Sequence, residues 1–129
     1  MYLYKFITNL NYYVDRKDFL LSYNTHPKFP DIIAISETIL QYGIKSTLAE
    51  IPKNLLNELS DTFITLINFD GKIETVFINK KHYKNIIITS TNGINNTLSR
   101  EKFLEVWSGV ILNVDKSENS ISNEKFSKK

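Results

Sequence analysis

Near Thr62 the spacing of apolar residues in this chain changes from helical to strand-like, and that switch decides which class of fold is open to it. Ahead of Thr62 the apolar side chains recur every three or four positions; beyond it they fall in short β-branched runs bounded by turn residues. Helices first and strands afterwards predict an α+β domain in which N-terminal helices pack on a C-terminal antiparallel sheet. With 129 residues there is room for one such domain, large enough to bury a core without metals or crosslinks.

In the helical half, Tyr2, Leu3, Phe6, Ile7, Leu10 and Tyr13 predict an amphipathic helix over 2–13. Asp15 suits the N-cap of a second helix, with Asp18 three residues on in a capping-box arrangement and Phe19, Leu20 and Tyr23 as its buried stripe. Thr25-His26-Pro27 ends it, because the residue before a proline is pushed out of helical geometry. The clearest helix is 31–42: Pro30 sets its entry, Asp31 caps it, and Ile32, Ile35, Ile39 and Leu40 make one apolar face. Gly43 stops it, leaving Ile44 to fold back. A short strand at Ser46–Ile51 then leads to Pro52 and a brief helix carrying Leu55, Leu56 and Leu59.

In the second half, Phe63, Leu66 and Ile67 belong to a strand, Asp70-Gly71 to a tight hairpin turn, and Ile73–Asn79 to the returning strand. Lys80-Lys81-His82 makes a polar turn into a third strand, Tyr83–Thr89, which Asn92-Gly93 ends. Ser99 or Thr97 opens a helix bearing Phe103, Val106 and Trp107, and Gly109 releases it into a last strand, Val110–Val114. Residues 1–115 read as the folded domain. Residues 116–129 carry only Ile121 and Phe126 as large apolar side chains and read as a disordered polar tail or linker.

The function classes narrow quickly. The net charge is +2, and Lys116, Lys125, Lys128 and Lys129 against Glu118 and Glu124 place that excess in the tail. Residues 1–115 hold twelve basic and twelve acidic residues, which argues against nucleic-acid binding. No apolar run approaches a membrane span, and charged residues interrupt Met1 to Leu21, so neither a membrane helix nor a secretory signal is expected and the setting reads as cytoplasmic. The triplet Asn95-Asn96-Thr97 has no role in such a setting. With no cysteine and two histidines, neither a thiolate nucleophile nor a soft metal cage can be assembled; no metal and no cofactor are expected. His26 reads as a turn or cap residue and His82 as part of a solvated loop. Asp15, Asp18 and Asp31 have capping roles, and Phe103 with Trp107 reads as core.

Three segments in order nevertheless resemble one family. His26-Pro27-Lys28-Phe29-Pro30-Asp31-Ile32-Ile33-Ala34-Ile35-Ser36-Glu37, followed by Leu40 and Tyr42-Gly43-Ile44, is similar to an "HPxxPSLxALSDxLxxxGI" stretch. Phe63-Ile64-Thr65-Leu66-Ile67 is similar to the strand that precedes a catalytic histidine. Leu98 to Val110, with Phe103, Trp107 and Gly109, is similar to a closing "LSxEEFxxxWTGV" signature. The family is that of the bacteriocin-processing cysteine peptidases, papain-like domains that trim double-glycine leader peptides, and above all its members fused to vitamin K epoxide reductase-like proteins.

The resemblance covers about residues 2–114 and implies a papain-like cysteine-peptidase-type fold. His26, Pro27, Pro30, Gly43, Phe103, Trp107 and Gly109 are its structural fingerprint. The catalytic residues do not carry over. The nucleophile's place falls at or before Met1, the histidine's near Ile73 and the aspartate's near Thr89 or Ser90, so no cysteine, histidine or aspartate stands at those positions. What the resemblance implies is therefore a degenerate, non-catalytic domain that binds a peptide or leader segment of an exported substrate, with a membrane transporter or oxidoreductase module as a partner through which a cytoplasmic domain would be membrane-associated. The alternative is a cytosolic regulatory or scaffolding domain of a membrane thiol oxidoreductase.

Overall fold

The structure, a computed structural model, describes residues 2–81 and 84–115. Three helices lead: α1 (Tyr2–Asn9), α2 (Arg16–Asn24) and α3 (Ile32–Gln41). They are followed by β1 (Ser46–Glu50), a 3-10 helix (Lys53–Glu58), β2 (Thr62–Phe69), β3 (Lys72–Asn79), β4 (Asn85–Ser90), β5 (Asn95–Ser99), α4 (Arg100–Val106) and β6 (Trp107–Val114). The strands form one antiparallel sheet in the order β1-β6-β2-β3-β4-β5, so the last strand in sequence lies between the first two.

The pleat turns neighbouring residues to opposite faces, and the apolar runs in the strands serve two cores at once. Ile64, Phe77 and Leu112 face α1–α3 and pack with Leu3, Ile7, Phe19, Tyr23, Ile35 and Ile39. Their neighbours Phe63, Ile78 and Ile111 face the other way, where Leu56 of the 3-10 helix and Phe103 of α4 cover them. The expected arrangement of N-terminal helices on a C-terminal antiparallel sheet is present, with a smaller helical layer on the second face.

The β2–β3 hairpin is in register from Thr62↔Asn79 to Phe69↔Lys72, and Asp70 and Gly71 take the positive φ angles, 53° and 79°, that its two-residue turn requires. Gly43 (φ 78°) closes α3 as expected: its amide donates to Leu40 O, the Ile44 amide reaches back to Ile39 O, and Ile44 is buried against the helix.

Several boundaries differ from the sequence expectation for identifiable reasons. The first helix stops at Asn9 rather than running to residue 13, because Asn11 adopts φ 67° and performs the closing role usual for glycine. The Asn11 amide donates to Thr8 O and the Tyr12 amide to Ile7 O. Asp15 caps α2 by accepting from the Asp18 amide at 3.0 Å. Asp31 occupies the N-cap of α3 but makes no side-chain cap bond. Residues 95–99 form a strand that the polar sequence Asn95-Asn96-Thr97 did not suggest; Thr97 therefore lies inside β5, and Ser99 is the cap, accepting from the Lys102 amide. Gly109 does not release α4 into a strand starting at Val110. It lies within β6, which begins at Trp107. His82, Tyr83 and the tail from 116 to 129 lie outside the described residues. No helix among the described residues is long and apolar enough to cross a membrane.

Candidate functional site

β2 and β6 are paired at Ile64↔Leu112 and beyond, but Thr62, at the start of β2, is in register with β3 alone, and Val114, at the end of β6, with β1 alone. The two strands part there, and a groove of about 450 Å³ occupies the gap between them and α1. Its walls combine the apolar residues Phe6 of α1, Leu10 just after it and Leu112 of β6 with a rim of Lys5, Glu58 and Asn113. Each of the diverging strand ends has its unpaired side turned to this gap, so main-chain donors and acceptors accompany the apolar floor.

The hydroxyl groups at the groove are Ser60 and Thr62, and the Ser60 hydroxyl donates to the Thr62 carbonyl at 2.9 Å. No histidine lines the groove among the described residues, and no cluster of metal-binding side chains occurs among them. Acyl transfer by a hydroxyl needs a base within hydrogen-bond reach, and the Ser60 hydroxyl is instead directed to a main-chain carbonyl.

Of the positions at which the resemblance places catalytic residues, those near Ile73 and near Thr89 or Ser90 are not gathered at this groove, and the one at or before Met1 lies outside the described residues. Ile73 is 66% exposed near the hairpin tip, opposite Asn68. It lies four residues along β3 from Phe77, the partner of Thr89, a separation of roughly 13 Å. Thr89 is buried and its hydroxyl donates to Asn95 Oδ1 at 2.7 Å, while the Ser90 hydroxyl pairs with Asn92 and accepts from the Ile94 amide.

The fingerprint residues have structural work instead. His26 Nδ1 accepts from the Lys28 amide at 3.0 Å, which leaves the proton on Nε2 to be donated to Glu37 Oε1 at 2.8 Å. The imidazole thus ties the end of α2 to the middle of α3 across the Pro27–Pro30 loop. Within that loop, Tyr23 donates its hydroxyl to Pro30 O at 3.1 Å and sets its ring edge-on to Phe29. Burial pushes the Tyr23 phenol well above its ordinary range, and the nearby Asp31 charge adds to the shift. Phe103 and Trp107 stack at 5.6 Å inside the second core.

Trp107 also donates Nε1–H to the Thr65 hydroxyl at 2.7 Å, and that hydroxyl donates in turn to the Val110 carbonyl. Around these bonds the β2–β6 register shifts by a bulge, and Gly109 takes φ 85° with its α-carbon so close to the next segment that a Cβ would lie 2.7 Å from the Ile51 carbonyl oxygen. The groove residues were not identified from the sequence. Their one signal was the short polar step Ser60-Asp61-Thr62 at the period change, and only the β2–β6 pairing shows what opens beside it.

No protein-family model matches the chain, and no curated protein matches it. Solved structures do. The peptidase domain of Streptococcus ComA, a bi-functional ABC transporter involved in a quorum-sensing pathway, superposes with a TM-score of 0.65 at 14% identity, over 89% of this chain and 88% of that one. A double-glycine-motif protease from an AMS/PCAT transporter, solved in complex with the leader peptide, gives a TM-score of 0.65 at 14% identity, over 89% of this chain and 81% of that one. The peptidase domain of Streptococcus mutans ComA with a small-molecule inhibitor gives 0.54 at 18% identity, over 70% and 79%. The chain therefore has the papain-like fold of the peptidase domains found in double-glycine peptide exporters.

Proposed function

We propose that this protein is a peptide-binding domain that keeps the architecture of a leader peptidase without its cutting residues, and that it docks a leader or export substrate for a peptide transporter on the cytoplasmic side. One observation carries the reading: β2 and β6 diverge over an apolar floor and leave main-chain edges facing an open groove. An extended peptide fits such a place, because its backbone can pair with a strand end while its side chains enter alternate pockets. The shared fold with a protease solved in complex with a leader peptide supports the same ligand class. Ile73, near the place where the resemblance puts the proton-accepting histidine, supports binding without cleavage, because an isoleucine cannot take up a proton.

Titration of the protein with a synthetic double-glycine leader peptide, followed by amide resonances, tests this. The expected outcome is saturable shifts at Thr62, Phe63, Asn113 and Val114, with the peptide intact after long incubation. Unchanged spectra at millimolar peptide argue against the groove, and specific cleavage after the glycine pair overturns the non-catalytic half of the proposal.

A further inference from the structure

Among the described residues the sheet has β1 and β5 as its two edge strands, and they differ in what they offer. Main-chain groups of successive strand residues point to opposite sides. On β5 the Ser90 amide donates to the Ile94 carbonyl and the Arg100 amide to the Lys84 carbonyl, so even-numbered residues face β4 and the outward ones are Asn95, Thr97 and Ser99. All three are polar and α4 begins at the strand's end, features that blunt an edge. On β1 the Asp115 amide donates to the Lys45 carbonyl and the Ile51 amide to the Gly109 carbonyl, so odd-numbered residues face β6. Ser46, Leu48 and Glu50 therefore turn their amides and carbonyls outward, where no described strand meets them. No proline, lysine or bulge interrupts Ser46–Glu50. Leu48, at its centre, stands opposite Leu112 at the margin of the helix-side core and is 41% exposed.

This edge is complementary to itself. A two-fold axis through Leu48, normal to the sheet, sets two copies of β1 antiparallel and joins outward residues to outward residues. Leu48 then meets the partner's Leu48 and Ser46 meets the partner's Glu50, each pair exchanging both main-chain bonds. The leucines extend one helix-side core toward the other, the Ser46 hydroxyl is free to donate to the partner's Glu50, and Thr47 lies across from the partner's Ala49. No like charges face each other. The neighbouring registers fit less well: one sets Glu50 against the partner's Ile44, which is buried, and the other sets Ser46 against the partner's Pro52, which has no amide. We propose that β1 is a self-association edge, through which two copies of this chain join antiparallel about Leu48 into one continuous sheet. A contact of five residues a side is small, so the dimer is weak, with a Kd on the order of 100 μM.

Sedimentation velocity from micromolar to millimolar protein tests this, and a concentration-dependent dimer is expected. Leu48→Lys sets two ammonium groups together on the axis and should weaken association at least about tenfold with the far-UV circular dichroism unchanged. Because the chain has no cysteine, a single introduced one reports its own neighbour. Leu48→Cys should crosslink under mild oxidation, since facing α-carbons about 5.5 Å apart are within disulfide reach. Thr47→Cys alone should not, whereas Thr47→Cys mixed with Ala49→Cys should. A chain that stays monomeric at millimolar concentration overturns the proposal. So does a dimer that Leu48→Lys leaves intact, or one in which Thr47→Cys alone crosslinks as readily as Leu48→Cys. If a double-glycine leader peptide shifts the Ser46, Leu48 and Glu50 amides of a protein that remains monomeric, the edge serves a peptide and the proposal falls.

Discussion

Thr65 and Thr38 are both fully buried, one on each side of the sheet, and their hydroxyls are treated in opposite ways. On the α4 side, Thr65 Oγ1 accepts from the Trp107 indole and donates to Val110 O, inside a bulge that Ser108 also braces by donating to Leu66 O at 2.7 Å. On the α1–α3 side, the Thr38 hydroxyl has no hydrogen-bond partner among the described residues. A satisfied buried hydroxyl fixes geometry, whereas an orphaned one only adds desolvation cost. The α4 face is thus held by directional bonds around β2 and β6, the same two strands whose other ends part to form the groove. Where the helices meet the sheet the other face relies on shape, with aromatic edge contacts such as Phe19 with Tyr42 at 5.5 Å and aliphatic packing, its Tyr23–Pro30 and His26–Glu37 bonds being confined to the helices and their connecting loop.

The largest test of this contrast is Trp107→Ala. Losing a buried indole together with its bond to Thr65 should destabilise the domain by about 3–5 kcal/mol, read by denaturant unfolding with tryptophan-independent detection such as far-UV circular dichroism. Next is Gly109→Ala, where the left-handed backbone and the approaching Ile51 carbonyl act together. A loss of about 2–3 kcal/mol is expected, against about 1 kcal/mol for Gly93→Ala, whose φ of 90° is similar but whose surroundings are open. Equal costs at the two glycines break the view that close approach, and not φ alone, decides the bulge. The smallest effects are those of sign: Thr65→Val should cost about 1–3 kcal/mol by orphaning the indole, whereas Thr38→Val should stabilise by up to about 1 kcal/mol. If Thr38→Val also destabilises, the helical face holds a polar contact that its packing does not reveal.

Much of this was legible from local patterns. The α3 helix, its glycine closure, the Asp70-Gly71 hairpin and the Ser99 cap each depend on residues close in sequence, and each formed as the residue types demand. What escaped were outcomes of distant pairing. β5 is a strand because β4 offers it a ladder, from Asn85↔Ser99 to Thr89↔Asn95, not because Asn95-Asn96-Thr97 prefers extension. Gly109 looked like a helix terminator, yet its requirement comes from Ile51, fifty-eight residues earlier. The groove was hidden for the same reason: Thr62 and Val114 border it only because β6 enters the sheet beside β2.

That placement of β6 also imposes an order of events on the ribosome. β1 has β6 as its strand partner, and Ser46 must wait for Val114 to emerge before their ends can meet. At usual rates of synthesis that interval lasts several seconds, during which β1 and one side of β2 are open edges and the helices lack part of their floor. The domain therefore closes like an arch, with its last-made strand as the keystone, and a nascent chain halted short of Trp107 is the species most in need of a chaperone.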